Sequence, residues 1–183
     1  MHNDIDSILF STEEILAGLI RVARRIADDY GDDDFTVVGV LKGSVLFVSD
    51  LVRNLDHKLE LAFVSASSYR DGTTSGRLEL TFLPHEEEIR GKRVLLVDDI
   101  LDTGRTMAAL KQEMLARGAA DVKTCVFLDK PSRRAVELDA DYRCFEVEDL
   151  FVVGYGLDFA GRYRNLPYVG ALKPELYEQP AGA

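Results

Sequence analysis

The feature that most constrains the fold is an apolar run, Val94 to Val97, which leads directly into acidic residues, a small turn and a helical pattern. Consecutive branched apolar residues predict a strand that is buried on both faces, as in a parallel sheet. Asp98 and Asp99 follow the run, and Asp102 opens a turn of small and hydroxyl residues. From Thr106 onward, apolar side chains recur at helical spacing. The stretch therefore predicts a β-α unit whose loop lies where open α/β sheets bind ligands.

The loop before this helix is suited to an anion, because a helix N-terminus presents unpaired backbone N–H groups and the positive end of the helix dipole. The neighbouring carboxylates would repel a phosphate bound there. The conflict is resolved if Asp98 and Asp99 face sugar hydroxyls of the same ligand, or a metal ion that screens the anion. A phosphorylated ribose supplies both a phosphate and vicinal hydroxyls. The segment therefore indicates a sugar phosphate as the ligand.

The segment from Val94 to Met107 resembles the phosphoribosyl pyrophosphate (PRPP) signature of type I phosphoribosyltransferases, which is a hydrophobic run, two acids and a D-T-G-x-T loop. The resemblance implies that Asp98 and Asp99 face the ribose or a metal ion. It assigns the PRPP 5'-phosphate to the loop of Asp102, Thr103, Gly104, Arg105 and Thr106. The alternative is a buried strand, a polar loop and an ordinary helix without this function.

A second strand is predicted from Phe35 to Leu41, followed by a helix that begins near Val45. Lys42 and Gly43 lie at the junction, where glycine lets the backbone approach a ligand closely and lysine adds positive charge. A β-α connection often carries glycine for steric reasons alone. In the family the matching L-K-G segment binds pyrophosphate, so the resemblance assigns Leu41, Lys42 and Gly43 to that role.

The polar stretch from Ser65 to Arg77 contains glycine and lacks periodicity. Such a stretch is typical of a surface hairpin, or of a lid that closes over a site. The family closes a loop of this kind over PRPP, and Ser68 and Tyr69 match its S-Y pair. The resemblance therefore favours a lid.

Two later segments resemble the hypoxanthine-guanine branch of the family. A strand is predicted from Val122 to Leu128, and Lys130 follows it at the same edge of the sheet as the aspartates. In that branch, a lysine at this position donates a hydrogen bond to the exocyclic oxygen of the purine. The resemblance therefore makes Lys130 a purine-binding residue.

The block from Phe151 to Asp158 resembles the F-V-V-G-Y-x-L-D segment of that branch, with a following R-x-L that begins at Arg164. An aromatic residue before a strand-like run most often fills a core. By the match, however, Phe151 stacks on the purine and Val152 offers backbone groups to the purine edge. The match also implies that Asp158 holds a second Mg²⁺ and that Arg164 contacts pyrophosphate.

The order of strands and helices predicts an α/β fold with a twisted, mainly parallel sheet flanked by helices. With 183 residues and 46% apolar residues, the chain is expected to form one domain over residues 1–183. The resemblance implies the type I phosphoribosyltransferase fold. Its core would span about 11–145, and a small hood would form from the N-terminal residues and about 146–183. We expect a final edge strand at Tyr168 to Leu172.

The formal net charge of −10 argues against DNA, RNA or an acidic membrane surface as the main partner. An anionic ligand would then need local help from Mg²⁺, lysine and arginine. There is no basic stretch at the N-terminus and no apolar run of membrane-spanning length, so we expect a cytoplasmic protein without membrane partners. Cys125 and Cys144 form no C-x-x-C pair, which favours reduced structural thiols. The resemblance implies a homo-oligomer, a dimer or a tetramer.

The reaction implied by the resemblance is the Mg²⁺-dependent transfer of the phosphoribosyl group from PRPP to a ring nitrogen of a 6-oxopurine in purine salvage. Hypoxanthine or guanine would give IMP or GMP, with pyrophosphate. Asp102 would take the proton that leaves the imidazole ring of the purine as the new bond forms. Two alternatives stay open: a phosphoribosyltransferase for xanthine or adenine, and a phosphoribosyltransferase-like regulator that binds nucleotides. A receiver domain also carries an acid pair, but at its first strand.

Overall fold

The computed structural model describes residues 2–68 and 78–178; Tyr69 and the rest of the predicted lid up to Arg77 lie outside the described residues. The helices are α1 (Thr12–Tyr30), α2 (Val45–Arg53) and α3 (Arg105–Ala116). The strands are β1 (Ile5–Phe10), β2 (Phe35–Leu41), β3 (Leu59–Ser68), β4 (Leu78–Phe82), β5 (Arg93–Leu101), β6 (Asp121–Asp129), β7 (Tyr142–Glu146), β8 (Val152–Val153) and β9 (Val169–Leu172).

A six-stranded sheet in the order β4-β3-β2-β5-β6-β7 forms the centre of the molecule. Its neighbouring strands pair in parallel, except for β3 and β4, which are antiparallel. The predicted α/β fold with a mainly parallel sheet is therefore confirmed. β7, which the sequence analysis did not predict, extends the sheet beyond β6.

Helices cover both faces of this sheet, so its central strands are buried on both sides. In β5, Leu95 and Val97 face the cluster under α1 and α2, whereas Val94 and Leu96 face the cluster under α3. This alternation explains why the sequence of a central parallel strand is apolar throughout. The helix α1 begins with a capping box, in which Ser11 and Glu14 satisfy each other's backbone N–H groups.

β5 is longer than the apolar run that predicts it. It continues through Asp98 and Asp99 to Leu101, because its pairing with β6 continues as far as Leu101 and Asp129. The two acids therefore belong to the end of the strand, and only Asp102 lies in the loop after it. The ladder holds the backbone of the acid pair in place.

A second sheet has the order β1-β9-β8 and is antiparallel. The strand predicted at Tyr168 to Leu172 is present as β9, but its predicted edge position is wrong, because β9 lies between β1 and β8. The N-terminal strand β1, which pairs with β9, was not predicted. This sheet takes its strands from both ends of the chain, which supports the proposed hood; the boundaries at about 145 and 146 stay a prediction.

In the described ranges 2–68 and 78–178, no helix combines the length and the apolar character needed to span a bilayer.

Candidate active site

The ends of three neighbouring parallel strands carry most of the residues singled out by the sequence. β2 ends at Leu41, β5 ends at Leu101 and β6 ends at Asp129. Carboxyl ends of parallel strands meet at one edge of a sheet. The turn after β2, the loop after β5 and Lys130 after β6 therefore lie on a common rim.

Asp98, which is buried, and Asp99, which is half-buried, form a carboxylate pair on this rim. The backbone N–H of Asp99 donates to Asp98 Oδ1 at 2.9 Å, and that of Ile100 donates to Asp99 Oδ1 at 2.9 Å. Burial raises the pKa of Asp98 well above its usual range, with the charge of Asp99 as a further cause, and burial also raises the pKa of Asp99. Among the described residues, neither carboxylate forms an ion pair. A cation or a set of hydroxyl donors would relieve this repulsion.

The turn after β2 is packed directly against this pair. A Cβ atom at Gly43 would lie 1.6 Å from Asp99 Oδ2, so a larger residue there would displace the carboxylate. On its other side, Gly156 has a φ of +100°, and a Cβ there would lie 2.1 Å from the carbonyl oxygen of Gly43. The peptide bond between Leu41 and Lys42 is cis, and Lys42 is exposed. Two glycines thus bring the predicted pyrophosphate turn into contact with the acid pair and with the C-terminal segment.

The loop after β5 forms the N-terminus of α3 and lines a cavity of about 320 Å³ together with the acid pair. Gly104 caps the helix at a φ of +79°, and a Cβ there would lie 2.9 Å from Val136 Cγ2. Arg134 braces the loop, since its guanidinium donates to the carbonyl oxygens of Leu101 and Asp102. The predicted phosphate-binding residues that line this cavity are Asp102, Thr103, Gly104 and Thr106, while Arg105 is exposed at the start of α3.

A second cavity of about 420 Å³ is lined by Asp102, Lys130 and Phe151, and by Arg133, Asp149, Leu150, Tyr177 and Glu178. Lys130 is buried, donates its Nζ to the carbonyl oxygen of Leu150, and has a pKa lowered by burial. Phe151 retains 37% exposure, and Val152 is buried in β8. Because Asp102 lines both cavities, they adjoin at its side chain.

The Asp102 carboxylate lies at this junction and is paired with an arginine. Its Oδ1 lies 2.9 Å from Nε of Arg133, and Nη1 of Arg133 lies 3.3 Å from Asp149 Oδ1. This Oδ1 atom is buried and accepts no hydrogen bond within the described part of the chain, whereas the Asp102 side chain as a whole is 41% exposed. A carboxylate that lines a cavity can accept a proton from a ligand bound there.

Arg164 and Asp158 form an ion pair close to the glycine contact. Arg164 Nη2 lies 2.6 Å from Asp158 Oδ1, and Nη1 donates to the carbonyl oxygen of Gly156. The positive charge of Arg164 also acts on Asp99. It lowers the pKa of that carboxyl group, against the larger raising effect of burial. Arg164 and Gly43 therefore both lie next to Gly156; their role in pyrophosphate binding stays a prediction.

The sequence matches the phosphoribosyl transferase domain family over residues 7–160. The chain belongs to this family. It is 42% identical over 177 residues to the hypoxanthine-guanine phosphoribosyltransferase of Streptococcus pneumoniae, an alignment that covers 97% of this chain and 98% of the relative. The predicted membership of the type I phosphoribosyltransferases is confirmed.

Solved structures of this family superimpose on the whole fold. A hypoxanthine phosphoribosyltransferase from Staphylococcus aureus has a TM-score of 0.88 at 37% identity, covering 98% of this chain and 97% of that chain. The Trypanosoma cruzi enzyme in complex with the product IMP has a TM-score of 0.89 at 38% identity, covering 97% and 99%. The predicted phosphoribosyltransferase fold is therefore confirmed.

The rim of this phosphoribosyltransferase carries carboxylates, the donor type that Mg²⁺ prefers. In residues 2–68 and 78–178, no group of three or more His, Cys, Asp or Glu side chains could hold a metal ion. Mg²⁺ is commonly held by one or two carboxylates together with substrate phosphates, so such a cage is not required. The repelling pair Asp98 and Asp99, and Asp158 beside Arg164, fit an ion that arrives with a phosphorylated ligand.

The structure adds residues to the phosphoribosyltransferase site that the sequence analysis missed. These are Arg133, Arg134, Asp149, Gly156 and Tyr177. Two adjacent arginines three and four residues after Lys130 were a usable signal, because they follow a strand end on the same rim. Of the predicted lid residues, Ser68 ends β3, and Tyr69 lies outside the described residues.

A larger hollow of about 650 Å³ lies at the opposite edge of the sheet, near the starts of β2, β3 and β5. Its charged groups already neutralise each other: Lys92 lies 2.5 Å from Glu60, and Arg93 lies 2.6 Å from Asp33. The rim at the carboxyl ends therefore remains the candidate site of this phosphoribosyltransferase.

Proposed function

We propose that the protein is a hypoxanthine-guanine phosphoribosyltransferase of purine salvage. It transfers the phosphoribosyl group of PRPP to a ring nitrogen of hypoxanthine or guanine and releases pyrophosphate. The observation that carries the proposal is the junction of two cavities at Asp102, one with the phosphate loop and acid pair, the other with Lys130 and Phe151. The names of the Streptococcus pneumoniae relative and of the Trypanosoma cruzi structure with IMP support it.

The first cavity would hold the PRPP half of the reaction. The N–H groups at the start of α3 suit the 5'-phosphate, together with Asp102, Thr103, Gly104, Arg105 and Thr106. Asp98 and Asp99 would accept hydrogen bonds from the ribose hydroxyls or contact a metal ion. The turn of Leu41, Lys42 and Gly43, with Arg164, would hold the pyrophosphate.

The second cavity would hold the purine. Phe151 offers an aromatic face, and Val152 offers backbone groups from β8. Lys130 uses one donor on the Leu150 carbonyl, and an ammonium group has three, so it can also donate to an exocyclic oxygen. Adenine carries an amino group at that position, which is itself a donor. Lys130 therefore favours a 6-oxopurine over adenine.

Asp102 would act as the general base. Asp102 lines both cavities where they meet, so its carboxylate can take the proton that leaves the imidazole ring of the purine. Lys42 and Arg164 would stabilise the departing pyrophosphate. Mg²⁺, held by Asp98, Asp99 and Asp158 together with the ligand, would neutralise the negative charge on the leaving group. The lid role of Ser68 and Tyr69 is proposed from the sequence match alone.

The experiment that tests this function is an assay of the purified protein with PRPP and Mg²⁺ and one of five bases: hypoxanthine, guanine, xanthine, adenine or uracil. We expect pyrophosphate release and nucleotide formation with hypoxanthine or guanine, and loss of both when PRPP or Mg²⁺ is left out. Turnover with adenine or uracil alone, or none with any base, would contradict the proposal.

The base assignment predicts the behaviour of Asp102→Asn. Asparagine keeps the size of the side chain but cannot take the proton, so kcat should fall by about 10²–10⁴ while the KM for PRPP stays within about twofold. Steady-state kinetics check this, with Asp121→Asn, an exposed acid at the start of β6, as the matched control. Turnover that is unchanged in Asp102→Asn would remove the assignment.

We also propose a cytoplasmic homo-oligomer, a dimer or a tetramer, without nucleic-acid or membrane partners. One face of the central sheet is partly covered by α2, and Leu61 and Phe82 are exposed on the uncovered part of this face. Val45 and Leu46 are exposed at the start of α2. A second copy would shield this apolar surface from water. Sedimentation analysis tests the oligomer, and a monomer at micromolar concentration would contradict it.

A further inference from the structure

The ring of Phe151 is held on two sides by other aromatic residues. Tyr177 stacks on one face, with ring centroids 4.9 Å apart and an angle of 26° between the planes. Phe159 meets Phe151 edge-on at 5.3 Å and 86°. An aromatic ring has two faces, and Phe151 is still 37% exposed. Tyr177 covers one of these faces, and Phe151 keeps exposed surface in the cavity that it lines.

Tyr177 is anchored independently of Phe151. Its backbone N–H donates to the carbonyl oxygen of Pro174 at 3.1 Å, and the N–H of Lys173 donates to Asp4 at 3.0 Å. Its side chain packs against the apolar cluster of the second sheet, formed by Val153, Leu166 and Leu172. The ring of Tyr177 is thus fixed by the hood, and it can serve as a support for Phe151.

We propose that Tyr177 is a positioning residue for the purine, a role that rests on the proposed function. By stacking on one face of Phe151, it fixes the plane of that ring and leaves the other face for the base. Stacked aromatic pairs depend on the relative orientation of the rings, so a Phe151 ring that is free to rotate would hold a purine less well.

The location of Tyr177 confines its effect to one half of the reaction. It lines the cavity that contains Lys130 and Phe151, whereas the cavity of the phosphate loop is lined by residues of β2, β3, β5 and α3. Removal of the ring should therefore weaken the binding of the base and leave the binding of PRPP unchanged. A general loosening of the fold would affect both substrates.

The test is a set of substitutions at Tyr177 with separate KM values for hypoxanthine and PRPP. In Tyr177→Ala, the KM for hypoxanthine should rise by roughly two- to tenfold, the strength of an ordinary aromatic pair, with kcat and the KM for PRPP within about twofold. In Tyr177→Leu, the side chain fills the space in the hood but has no flat aromatic face, so the KM for hypoxanthine should rise selectively by the same factor. This variant provides the test if Tyr177→Ala does not fold. Tyr177→Phe keeps the ring and should match the wild type.

Two controls separate support of Phe151 from other effects. Tyr168→Ala removes another ring that packs against the same hood cluster but stacks near His2, so it should not raise the KM for hypoxanthine selectively. In the double variant Phe151→Ala with Tyr177→Ala, the KM for hypoxanthine should equal that of Phe151→Ala alone, because Tyr177 acts through Phe151.

Several results would overturn the inference. For the Tyr177 variants, these are an unchanged KM for hypoxanthine in both Tyr177→Ala and Tyr177→Leu, or a rise in the KM for PRPP equal to that for hypoxanthine. A rise in the KM for hypoxanthine in Tyr177→Phe as large as in Tyr177→Ala would have the same meaning. For the controls, they are a selective rise in the KM for hypoxanthine in Tyr168→Ala, or additive effects on this KM in the double variant. A fall in the KM for hypoxanthine would show that the tyrosine ring occupies the place of the purine, and would overturn it too. Failure of the proposed function is distinct, because the wild-type protein would then show no transfer to hypoxanthine or guanine.

Discussion

Asp129 and Asp98 are buried carboxylates near the ends of adjacent strands, but their charged neighbours are opposite in sign. Asp129 is 1% exposed at the end of β6, and its two oxygens are contacted by Arg134 and, at 3.3 Å, by Arg143. Near the end of β5, Asp98 is 9% exposed, and its closest charged neighbour is another carboxylate. Arginines neutralise Asp129, whereas Asp98 and Asp99 oppose each other's ionisation.

This difference separates structural from functional acids on one rim. Arg134 connects Asp129 to the carbonyl oxygens of Leu101 and Asp102, so the neutralised site holds the phosphate loop in place. The repelling pair costs the folded protein stability, which a ligand with a cation or hydroxyl donors would restore. The two sites therefore predict opposite responses to loss of a carboxylate.

The largest effect is expected from Asp129→Ala. This change leaves the mostly buried guanidinium of Arg134 without its carboxylate, and breaking a buried pair in this way costs about 3–5 kcal/mol of unfolding free energy. Urea unfolding measures the loss. Asp139→Ala, at an exposed aspartate, is the control and should change stability by less than about 0.5 kcal/mol. A loss below about 1 kcal/mol in Asp129→Ala would show that the site is not structural.

Gly43→Ala tests how closely the acid pair depends on its surroundings. The added Cβ would overlap Asp99 Oδ2, so the carboxylate has to move away from the position in which we propose that it contacts the ribose or a metal ion. A misplacement of about 1 Å can lower activity by about 10²-fold, and we expect kcat/KM for PRPP to fall by about this factor. Circular dichroism should show an intact fold. An active Gly43→Ala enzyme would mean that Asp99 is not held where the ligand needs it.

The smallest effect, and the one of opposite sign, is expected from Asp98→Asn. Neutralising one member of the pair should raise the unfolding free energy at pH 7 by about 0.5–2 kcal/mol, the usual gain when a strained functional group is relieved. Asp121→Asn, at an exposed acid, is the matched control. Lower stability in Asp98→Asn would show that the pair is not repulsive.

The pH dependence of this gain follows from the direction of the pKa shift. Burial and the Asp99 charge raise the pKa of Asp98 in the folded state above its unfolded value, so the folded state binds more protons between the two values. Wild-type stability is therefore lost as the pH rises through that window. The advantage of Asp98→Asn should grow from about pH 4 upward and level off above the folded pKa. An advantage that shrinks with rising pH would contradict this sign.

The central motif could be predicted because its signals are local. The apolar run, the acids and the helical pattern from Val94 to Met107 specify strand, loop and helix within one short segment, and the structure has all three. The end of β5 could not be predicted from that pattern, since the pairing of Leu101 with Asp129 decides it. Strand ends depend on the neighbouring strand.

The second sheet and the bracing residues were missed because their partners are distant in the chain. β1 pairs with β9, and its residues lack the alternation of buried and exposed positions that would mark a strand. Arg133 and Arg134 look like surface residues until the fold brings them to Asp102 and Asp129. Tyr177 lies close to the C-terminus of the chain, and its stacking on Phe151 follows only from the way the hood folds.

Thermal unfolding of the wild type and Asp98→Asn, each with and without PRPP and Mg²⁺, tests the difference between the two acidic sites most directly. The account predicts that the ligand raises the Tm of the wild type, because it binds only the folded state. Asp98→Asn should have the higher Tm without ligand and should lose most of the ligand-induced rise. A variant with a lower Tm that responds to PRPP like the wild type would contradict the account.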